Sequence, residues 1–325
     1  MNPGGGTLQT MRDAKPPLLV IAGPTGVGKT AAAVALARRV PLEVISADSR
    51  QVYRGMDLAT GKPTAEEQAA VTHHLIDVVD PGDRYHAARF RADAERAIDT
   101  VRERRRLPVI VGGTVLYIRA LLRGLDPAPP ADPAFRHELA GIAAREGRAA
   151  LHARLEAVEP VLARRLHPND EIRVVRALER LRAGSAVGEA LVRWRGSESP
   201  WRVMYVGLGR ERGALARGLI ARAARMVEAG LLEEVRGLLA QGYDPGMPAM
   251  QGIGYRQFAQ VAFGRMDSVR ALALMQRDTV RYAKRQVTWF AREPDVRWLD
   301  VAAAGDAEGV AAQIETMLTR EGVIE

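Results

Sequence analysis

The chain has 325 residues, of which 47% are hydrophobic and 26% are charged, a composition that is ordinary for a globular protein. It contains no cysteine, which excludes disulfide bonds, thiolate metal sites and a cysteine nucleophile, and which fits a cytoplasmic protein. No apolar stretch approaches the roughly 18 residues that a membrane helix needs, and the net charge of +8 fits a polyanionic partner or simply an arginine-rich composition.

The first predicted strand, Leu18–Ala22, leads into a phosphate-binding loop. Residues 23–30 fit the pattern G-x-x-x-x-G-K-[ST] at every fixed position, and a predicted helix at 31–39 follows. Backbone N–H groups of such a loop, together with the helix N-terminus, hold a diphosphate or triphosphate. Lys29 is expected to neutralise phosphate oxygens, and Thr30 to offer its hydroxyl to Mg²⁺. The predicted donor-binding residues are Gly23, Pro24, Thr25, Gly26, Val27, Gly28, Lys29 and Thr30.

Strands and helices are predicted to alternate through the first third of the chain, after a flexible tail at 1–15. Further strands are predicted at Val44–Ser46, at Val109–Val111 and, more weakly, at Leu75–Val79, with a helix at 86–106. This alternation is typical of an α/β fold with a parallel sheet, in which the ligand binds at the carboxyl ends of the strands.

A proline-rich segment at 126–133 interrupts the alternation. Residues 134–191 predict only helix, and a new strand is predicted at Val203–Leu208. The remaining predicted elements are helices at 215–241, 268–292 and 307–320 and a short strand at Trp298-Leu299. We therefore expect a P-loop-containing parallel-sheet core at 16–125 and 200–325, with C-terminal helices, and an inserted all-helical domain at 126–199.

The second strand ends at Asp48, whose carboxylate should reach the same edge of the sheet as the loop. Three roles are open for it: a metal ligand of the kind that ends strands in nucleotide hydrolases, a general base for a second substrate, or a turn cap. The hydrogen-bonding side chains that follow suit a nucleobase or a phosphate, and they are Ser49, Arg50, Gln51, Tyr53 and Arg54.

The end of the strand at 109–111 argues against an ATPase. Gly112-Gly113-Thr114 stands where a nucleotide hydrolase commonly has an acidic metal ligand, and its glycines allow the backbone to approach a ligand closely. His73-His74 have no convincing third ligand nearby in the sequence, so a structural role is favoured over metal binding.

Seven short motifs occur in order between residues 18 and 292. They are G-P-T-G-V-G-K-T at 23–30, A-D-S-R-Q-V-Y-R-G-M-D at 47–57, G-G-T at 112–114 with Tyr117, A-D-P-x-x-R at 131–136, H-P-N-D at 167–170, G-Y-R-Q at 254–257 and A-K-R-Q-V-T-W at 283–289. Each motif is weak alone, but the ordered set resembles the tRNA dimethylallyltransferase family. The chain is similar to the bacterial form, because it has no cysteine for the zinc finger of many eukaryotic members.

The resemblance implies transfer of the dimethylallyl group from dimethylallyl diphosphate to N6 of adenine-37, in tRNAs that read codons beginning with U. It implies that the loop holds the prenyl diphosphate with Mg²⁺ rather than ATP, and that the adenine is flipped out of the anticodon loop into a channel. Asp48 would then accept the N6 proton as general base. The expected partners are tRNA and dimethylallyl diphosphate, and we expect a monomer.

The same motifs imply roles for individual residues. The implied catalytic residues are Asp48, Lys29, Thr30 and Thr114. The implied tRNA contacts near the channel are Asp48, Ser49, Arg50, Gln51, Thr114 and Arg136. Those in the insertion are Asn169, Asp170, Glu171, Ile172 and Arg173. Those in the core are Gln251, Gly252, Ile253, Gly254, Tyr255, Arg256, Lys284, Arg285, Gln286, Val287, Thr288, Trp289, Phe290 and Ala291. For Tyr255 and Trp289, stacking on a base and packing in the core are both open, and the basic residues from Arg281 to Arg292 could instead be a solvated helix face.

One position departs from the family pattern. Where the family has an arginine directed at the diphosphate, this chain has Gly218, flanked by Arg217 and Arg222. Whether either arginine makes the contact instead, or the contact is lost, is open. The alternatives to the implied activity are a prenyltransferase that acts on free adenine nucleotides, a nucleotide-dependent RNA-binding protein and a kinase of small metabolites.

Overall fold

The computed structural model describes residues 15–125, 132–184 and 198–324. The chain divides into two compact units, one formed by Met1–Leu122 with Ser199–Glu325 and the other by Arg123–Glu198. The predicted tail, apart from its last residue, and parts of the predicted proline-rich and helical segments lie outside the described residues. Among the helices in the described ranges, none is both long enough and apolar enough to span a membrane.

Six strands in the described part of the first unit form one sheet, and all neighbouring strands are parallel. In chain order they are β1 (Pro17–Ala22), β2 (Leu42–Ala47), β3 (His73–His74), β4 (Leu107–Gly112), β5 (Arg202–Gly209) and β6 (Arg297–Asp300). Their order across the sheet is β3-β2-β4-β1-β5-β6. Gly112 pairs with both Ala22 and Ala47, so the carboxyl ends of β1, β2 and β4 meet at one edge. The predicted α/β fold with a parallel sheet is confirmed.

The helices of the first unit connect these strands and cover the sheet. They are α1 (Lys29–Ala37), α2 (Ala65–Ala70), α3 (Ala87–Glu103), α4 (Val115–Arg123), α9 (Arg212–Glu228), α10 (Leu231–Ala240), α11 (Tyr255–Ala262), α12 (Ser268–Phe290) and α13 (Ala307–Arg320). The described residues of the second unit contain α5 (Pro133–Glu146), α6 (Arg148–Val158), α7 (Pro160–Ala163) and α8 (Glu171–Arg182).

The sheet is buried on both faces, because its side chains alternate between two hydrophobic clusters. On β1, Leu18 and Val20 belong to one cluster, with Phe90 of α3, whereas Leu19 and Ile21 belong to the other, with Leu36 of α1. The helical unit has its own cluster, formed by residues such as Leu151, Leu155 and Val174. The buried sheet is the rigid frame that fixes where each strand ends.

The prediction of a strand at Leu75–Val79 is wrong. The strand that pairs with β2 is His73–His74, and the backbone then turns through positive φ at Leu75 (63°) and Asp77 (55°). A β-strand requires negative φ, so these two residues end it. Val79 forms only an isolated bridge with Tyr53.

The single helix predicted at 215–241 is also wrong, because two helices cover this range. Helix α9 ends at Glu228 and α10 begins at Leu231. Gly230 between them has φ of 103°, which a helix interior does not allow.

The end of β2 opposite to Asp48 is fixed by a buried carboxylate. Glu43 is 2% exposed and accepts hydrogen bonds from His74 at 2.7 Å and from Arg104 at 3.1 Å. Burial alone would raise the pKa of Glu43, but the hydrogen bonds from His74 and Arg104 outweigh it and lower the pKa below its usual value. This ion-pair cluster joins β2 to β3 and to the end of α3.

Replacing Glu43 by Gln should lower the free energy of unfolding by about 2 kcal/mol at neutral pH, since a buried charged acceptor is lost. Because the folded-state pKa is depressed, this contribution is present above the unfolded pKa of about 4.3 and disappears as the pH falls through the folded value. Urea unfolding at several pH values measures the difference between the two proteins.

The matched control is Glu308→Gln, since Glu308 pairs with Arg38 at 2.6 Å on the surface and should contribute little. A Glu43→Gln protein as stable as the parent at neutral pH would show that the buried carboxylate of Glu43 does not stabilise the fold.

Candidate active site

The phosphate loop connects β1 to α1, and two of its glycines are required by close contacts. Gly23 has φ of 149°, and a Cβ there would lie 2.5 Å from the carbonyl oxygen of Leu208. Gly26 has φ of 74°, and a Cβ there would lie 2.6 Å from Cδ2 of Leu219 on α9. Helix α1 begins with Lys29 and Thr30, so the positive end of its dipole faces an anion held in the loop.

Lys29 folds back onto its own loop. Its Nζ donates hydrogen bonds to the carbonyl oxygens of Gly23, at 3.0 Å, and Pro24, at 2.9 Å. Burial lowers the pKa of Lys29 to about 8, the charge of Asp48 opposes this shift, and Arg222 adds to it. An anion bound at the loop would stabilise the ammonium form and raise this pKa again.

Asp48 directly follows β2 and lines the same cavity as Thr25 of the loop. Its Oδ1 accepts a hydrogen bond from the backbone N–H of Arg50 at 2.8 Å, so the turn-capping role is present in the structure. The carboxylate also faces the cavity, and this position is what a general base or a metal ligand requires.

Thr114, at the end of β4, ties the Asp48 segment to α12. Its Oγ1 accepts a hydrogen bond from the backbone N–H of Ser49 at 3.0 Å. Its hydroxyl also interacts with Tyr282, a partly buried residue of α12 that lines the cavity. Burial raises the pKa of Tyr282 to about 12, with the charge of nearby Asp48 as the second cause. The Thr114 and Tyr282 hydroxyls therefore link the segment after Asp48 to α12.

Gln51 and Arg50 hold the segment after Asp48 in place. Gln51 accepts a hydrogen bond from Ser46 at 2.9 Å and donates one to the carbonyl oxygen of Gly61 at 3.0 Å. Arg50 donates to the carbonyl oxygen of Pro248 at 2.7 Å while also lining the cavity. Both side chains therefore have a structural function in addition to any contact with a substrate.

A cavity of about 330 Å³ within the first unit is lined by some of these residues, but Lys29, Thr30, Gln51 and Thr114 are not among the side chains that line it. Its polar side includes Thr25, Asp48, Ser49 and Arg222, and its other side is apolar. The apolar wall is formed by Ala59, Leu219, Ala223, Met226, Ile253 and Met275. A volume of this size fits a small ligand with one charged and one apolar end.

The structure places Arg222, and not Arg217, at the cavity. Arg222 lines it, and its Nη2 donates to the carbonyl oxygen of Gly61 at 3.5 Å. Burial lowers the pKa of Arg222, the charge of Asp48 opposes this, and the side chain keeps its charge as arginine does in proteins. Arg217 lies instead at the start of α9, where its charge acts on Glu211.

The segment from Gln251 to Arg256 lies at the cavity, where Gln251, Gly252, Ile253, Tyr255 and Arg256 contribute to the lining. Tyr255 is only 1% exposed and its hydroxyl donates to Glu234 at 2.5 Å, so this ring packs in the core and does not stack on a base. Arg256 pairs with Asp278 on α12 at 2.5 Å.

The last predicted segment divides into two faces of α12. Two of its side chains, Gln286 and Phe290, are buried, so their prediction as direct tRNA contacts is corrected. The exposed side chains are Lys284, Arg285, Val287, Thr288 and Trp289, followed by Ala291. A basic groove, lined by Arg281, Lys284, Arg285, Thr288, Trp289 and Arg292, runs along this outer face. Trp289 lies under the guanidinium of Arg119, 5.3 Å from the ring centroid.

In the helical unit, Arg136 forms an ion pair, and its predicted contact with tRNA stays a prediction. Its Nε and Nη2 donate to the buried carboxylate of Glu179 at 2.6 and 2.8 Å. Asn169 and Asp170 form the turn that begins α8, and Glu171 pairs with Arg148 at 2.8 Å. Ile172 beside Arg173 is 84% exposed, so this turn presents a bare apolar side chain among polar ones.

Several cavity residues were not predicted. Leu219, Met226 and Met275 occupy helical positions where an apolar side chain indicates core packing, and Tyr282 precedes the motif at 283–289 without belonging to it. Their role follows from which helix faces the loop, and spacing along the chain does not carry that information.

The chain is similar to known proteins along most of its length. The family model described as IPP transferase matches residues 51–293. The "tRNA dimethylallyltransferase 1" of Syntrophotalea carbinolica is 48% identical over 289 residues, which are 89% of this chain and 92% of that protein. The tRNA dimethylallyltransferase of Thermomicrobium roseum is 46% identical over 308 residues, which are 94% of this chain and 92% of that protein.

The full-length tRNA isopentenylpyrophosphate transferase of Bacillus halodurans is a solved structure with a TM-score of 0.68 and 37% identity. The match covers 95% of this chain and 98% of that one. A family match over most of the sequence, with relatives this similar along nearly their whole length, shows that the chain belongs to the IPP transferase family.

Proposed function

We propose that this protein is a tRNA dimethylallyltransferase. It transfers the dimethylallyl group from dimethylallyl diphosphate to N6 of adenine-37 in tRNAs that read codons beginning with U, and it releases diphosphate. Because its acceptor is tRNA, we place the reaction in the cytoplasm, and we propose that the chain acts as a monomer.

The observation that carries the proposal is a single cavity with three chemically different walls. The phosphate loop contributes Thr25, the end of β2 contributes Asp48, and α9 contributes Arg222 beside apolar residues. A prenyl diphosphate has a charged end and an apolar end, and both find matching surfaces here. If the site bound ATP, its apolar wall would hold the adenine base. In the proposed reaction the adenine belongs to the tRNA and approaches Asp48, so the apolar wall is left for the prenyl chain.

The residues that line the cavity and those of the adjoining phosphate loop divide the chemistry between them. A bond forms between N6 and the first carbon of the dimethylallyl group, while the bond from that carbon to oxygen breaks and diphosphate leaves with the electron pair. Loop amides, Lys29 and Arg222 stabilise the negative charge that develops on diphosphate. Asp48 accepts the N6 proton, which counters the poor nucleophilicity of an amine conjugated with its ring.

Mg²⁺ fits this donor set. Its usual protein sites offer one or two oxygen ligands and leave the rest to substrate phosphate and water, and here Thr30 is the second residue of α1, in the loop whose Thr25 lines the cavity with Asp48. We propose that Thr30 holds the ion. When bound, it would neutralise diphosphate charge as a Lewis acid.

The acceptor side rests on exposed basic residues. The groove of Arg281, Lys284, Arg285, Thr288, Trp289 and Arg292 offers four cationic groups to phosphates of RNA and one aromatic ring for stacking. Arg285 belongs to both the groove and the cavity, so the two are adjacent.

The proposal is tested by incubating the protein with labelled dimethylallyl diphosphate and either an anticodon stem-loop or AMP. Mass spectrometry of the nucleosides should show the modified adenosine from the stem-loop and none from AMP. Turnover on AMP would favour a free-nucleotide prenyltransferase, and ATP hydrolysis without any mass gain on RNA would favour a nucleotide-dependent RNA-binding protein.

Asp48→Asn should reduce transfer by about 10²–10⁴-fold while RNA and diphosphate still bind. The amide oxygen of Asn can still accept from the N–H of Arg50, so the turn is kept and only the base is lost. Single-turnover rates give the effect, and Asp80→Asn, which changes an exposed acid paired with Arg54, serves as the control. Near-parental transfer by Asp48→Asn would exclude the role of base.

Diphosphate affinity should decline as the pH rises above about 8. In the protein without ligand, Lys29 has a pKa of about 8 and loses its proton above this pH. Bound diphosphate stabilises the ammonium form of Lys29, so binding above pH 8 requires the protein to take up a proton. The decline should approach tenfold per pH unit when the ligand is dimethylallyl diphosphate, a phosphate ester whose last ionisation, near a pKa of about 6, adds nothing in this range. Calorimetry on both sides of pH 8 measures it.

The control for this pH profile is Lys29→Arg, whose side chain stays charged throughout and should give a flat profile. A flat profile in the parent protein would show that Lys29 does not titrate in the binding equilibrium.

RNA affinity should fall steeply with salt, because the groove on α12 neutralises phosphates. Lys284→Gln should weaken binding and reduce the slope of log K against log salt by about 1. Arg38→Gln, which removes a surface cation paired with Glu308, should leave the slope unchanged. Equal slopes for the parent and Lys284→Gln would remove Lys284 from the interface.

A further inference from the structure

A glutamine of α12 holds the phosphate loop. The backbone N–H of Thr25 donates to Oε1 of Gln286 at 2.9 Å, across 261 residues of sequence. Nε2 of Gln286 donates to the carbonyl oxygen of Gly113 at 2.8 Å. The side chain is 5% exposed, and only one orientation of its amide satisfies both partners.

This contact determines which loop amides face a ligand. The N–H of Thr25 is engaged by Gln286, and the carbonyl oxygens of Gly23 and Pro24 accept from Lys29. The first half of the loop is therefore fixed by side chains. The N–H groups of the second half, at the start of α1, are left to bind phosphate.

Gly113 is the third residue of this contact, after Thr25 and Gln286. Its φ is not in the left-handed region, so the backbone itself would accept another residue. A Cβ at this position, however, would collide with Nε2 of Gln286. The second glycine of the G-G-T motif is thus explained by the amide that packs against it.

Gln286 lies on the same helix as the basic groove. One turn earlier, Tyr282 faces the cavity beside Thr114, and the residues on the outer face, such as Lys284 and Arg285, line the groove. Helix α12 therefore contacts the loop with one face and offers cations to RNA with another.

We propose that Gln286 is a positioning residue that holds the phosphate loop in its diphosphate-binding shape, through Thr25 and Gly113. It acts through the loop backbone and contacts no reacting atom. This inference rests on the proposed function for its effect on transfer, but its effect on diphosphate binding does not depend on the acceptor.

The test compares Gln286→Ala with Gln276→Ala. Gln276 lies on the same helix and also donates to a backbone carbonyl, that of Ile220 at 3.2 Å, away from the loop. Gln286→Ala should bind inorganic diphosphate about tenfold more weakly, since a buried hydrogen-bonded amide is lost. Its kcat for transfer should fall and its KM for dimethylallyl diphosphate should rise, with KM for the stem-loop unchanged. Gln276→Ala should behave as the parent in all of these.

Gly113→Ala gives an independent test, because its Cβ should displace Gln286 and produce the same weakening. In a double-mutant cycle the two effects should add only in part, since removal of the glutamine side chain relieves the collision with its Nε2 and leaves only the 3.3 Å contact with the carbonyl oxygen of Gly23. Should Gln286→Ala not fold, Gly113→Ala carries the same expectation.

Parental diphosphate affinity in Gln286→Ala, an equal loss in Gln276→Ala, or full additivity with Gly113→Ala would each overturn the inference. A parent protein that binds diphosphate but transfers nothing to RNA would instead refute the proposed function and leave the diphosphate comparison intact.

Discussion

Parallel pairing of β1, β2 and β4 is the constraint on which the site depends. Because Gly112 pairs with both Ala22 and Ala47, the residues that follow these strands emerge at one edge of the sheet. The loop at Gly23, the acid at Asp48 and the glycine at Gly113 are distant in sequence, yet they become neighbours there. The buried faces of the sheet make this register costly to shift, because a slip by one residue would turn every apolar side chain to the wrong cluster.

Opposite charges lie close together at the cavity before any ligand binds. Asp48 lies near Lys29 and Arg222, and each of these cations has its pKa lowered by burial while the acid opposes the shift. Two desolvated cations beside one carboxylate leave an excess of positive charge, which a diphosphate would neutralise. The same burial that makes Lys29 costly to keep charged increases the gain when an anion binds, since electrostatic interactions are stronger where water is excluded.

The helices after β5 complete what the sheet begins. Helix α9 supplies Arg222 and apolar side chains above the loop, and α12 supplies Tyr282 and Gln286 from one face and a basic groove from another. The loop is therefore not an independent phosphate site attached to a scaffold. Its shape depends on a buried amide from the same helix that would meet the acceptor, so donor and acceptor share one structural element.

The sequence by itself determined the α/β class, the phosphate loop and the position of Asp48 at a strand end, because these depend on local patterns: apolar runs, glycine spacing and the order of elements. The motifs at 251–256 and 284–291 contain residues that line the cavity and the groove, and their contact with tRNA stays a prediction. Only the tertiary structure decided that Arg222 and not Arg217 faces the loop, that Tyr255 and Gln286 are buried while Lys284 is exposed, and that 75–79 is a turn. These outcomes depend on which side of a helix or loop meets its neighbour, and a residue's identity does not record the packing that surrounds it.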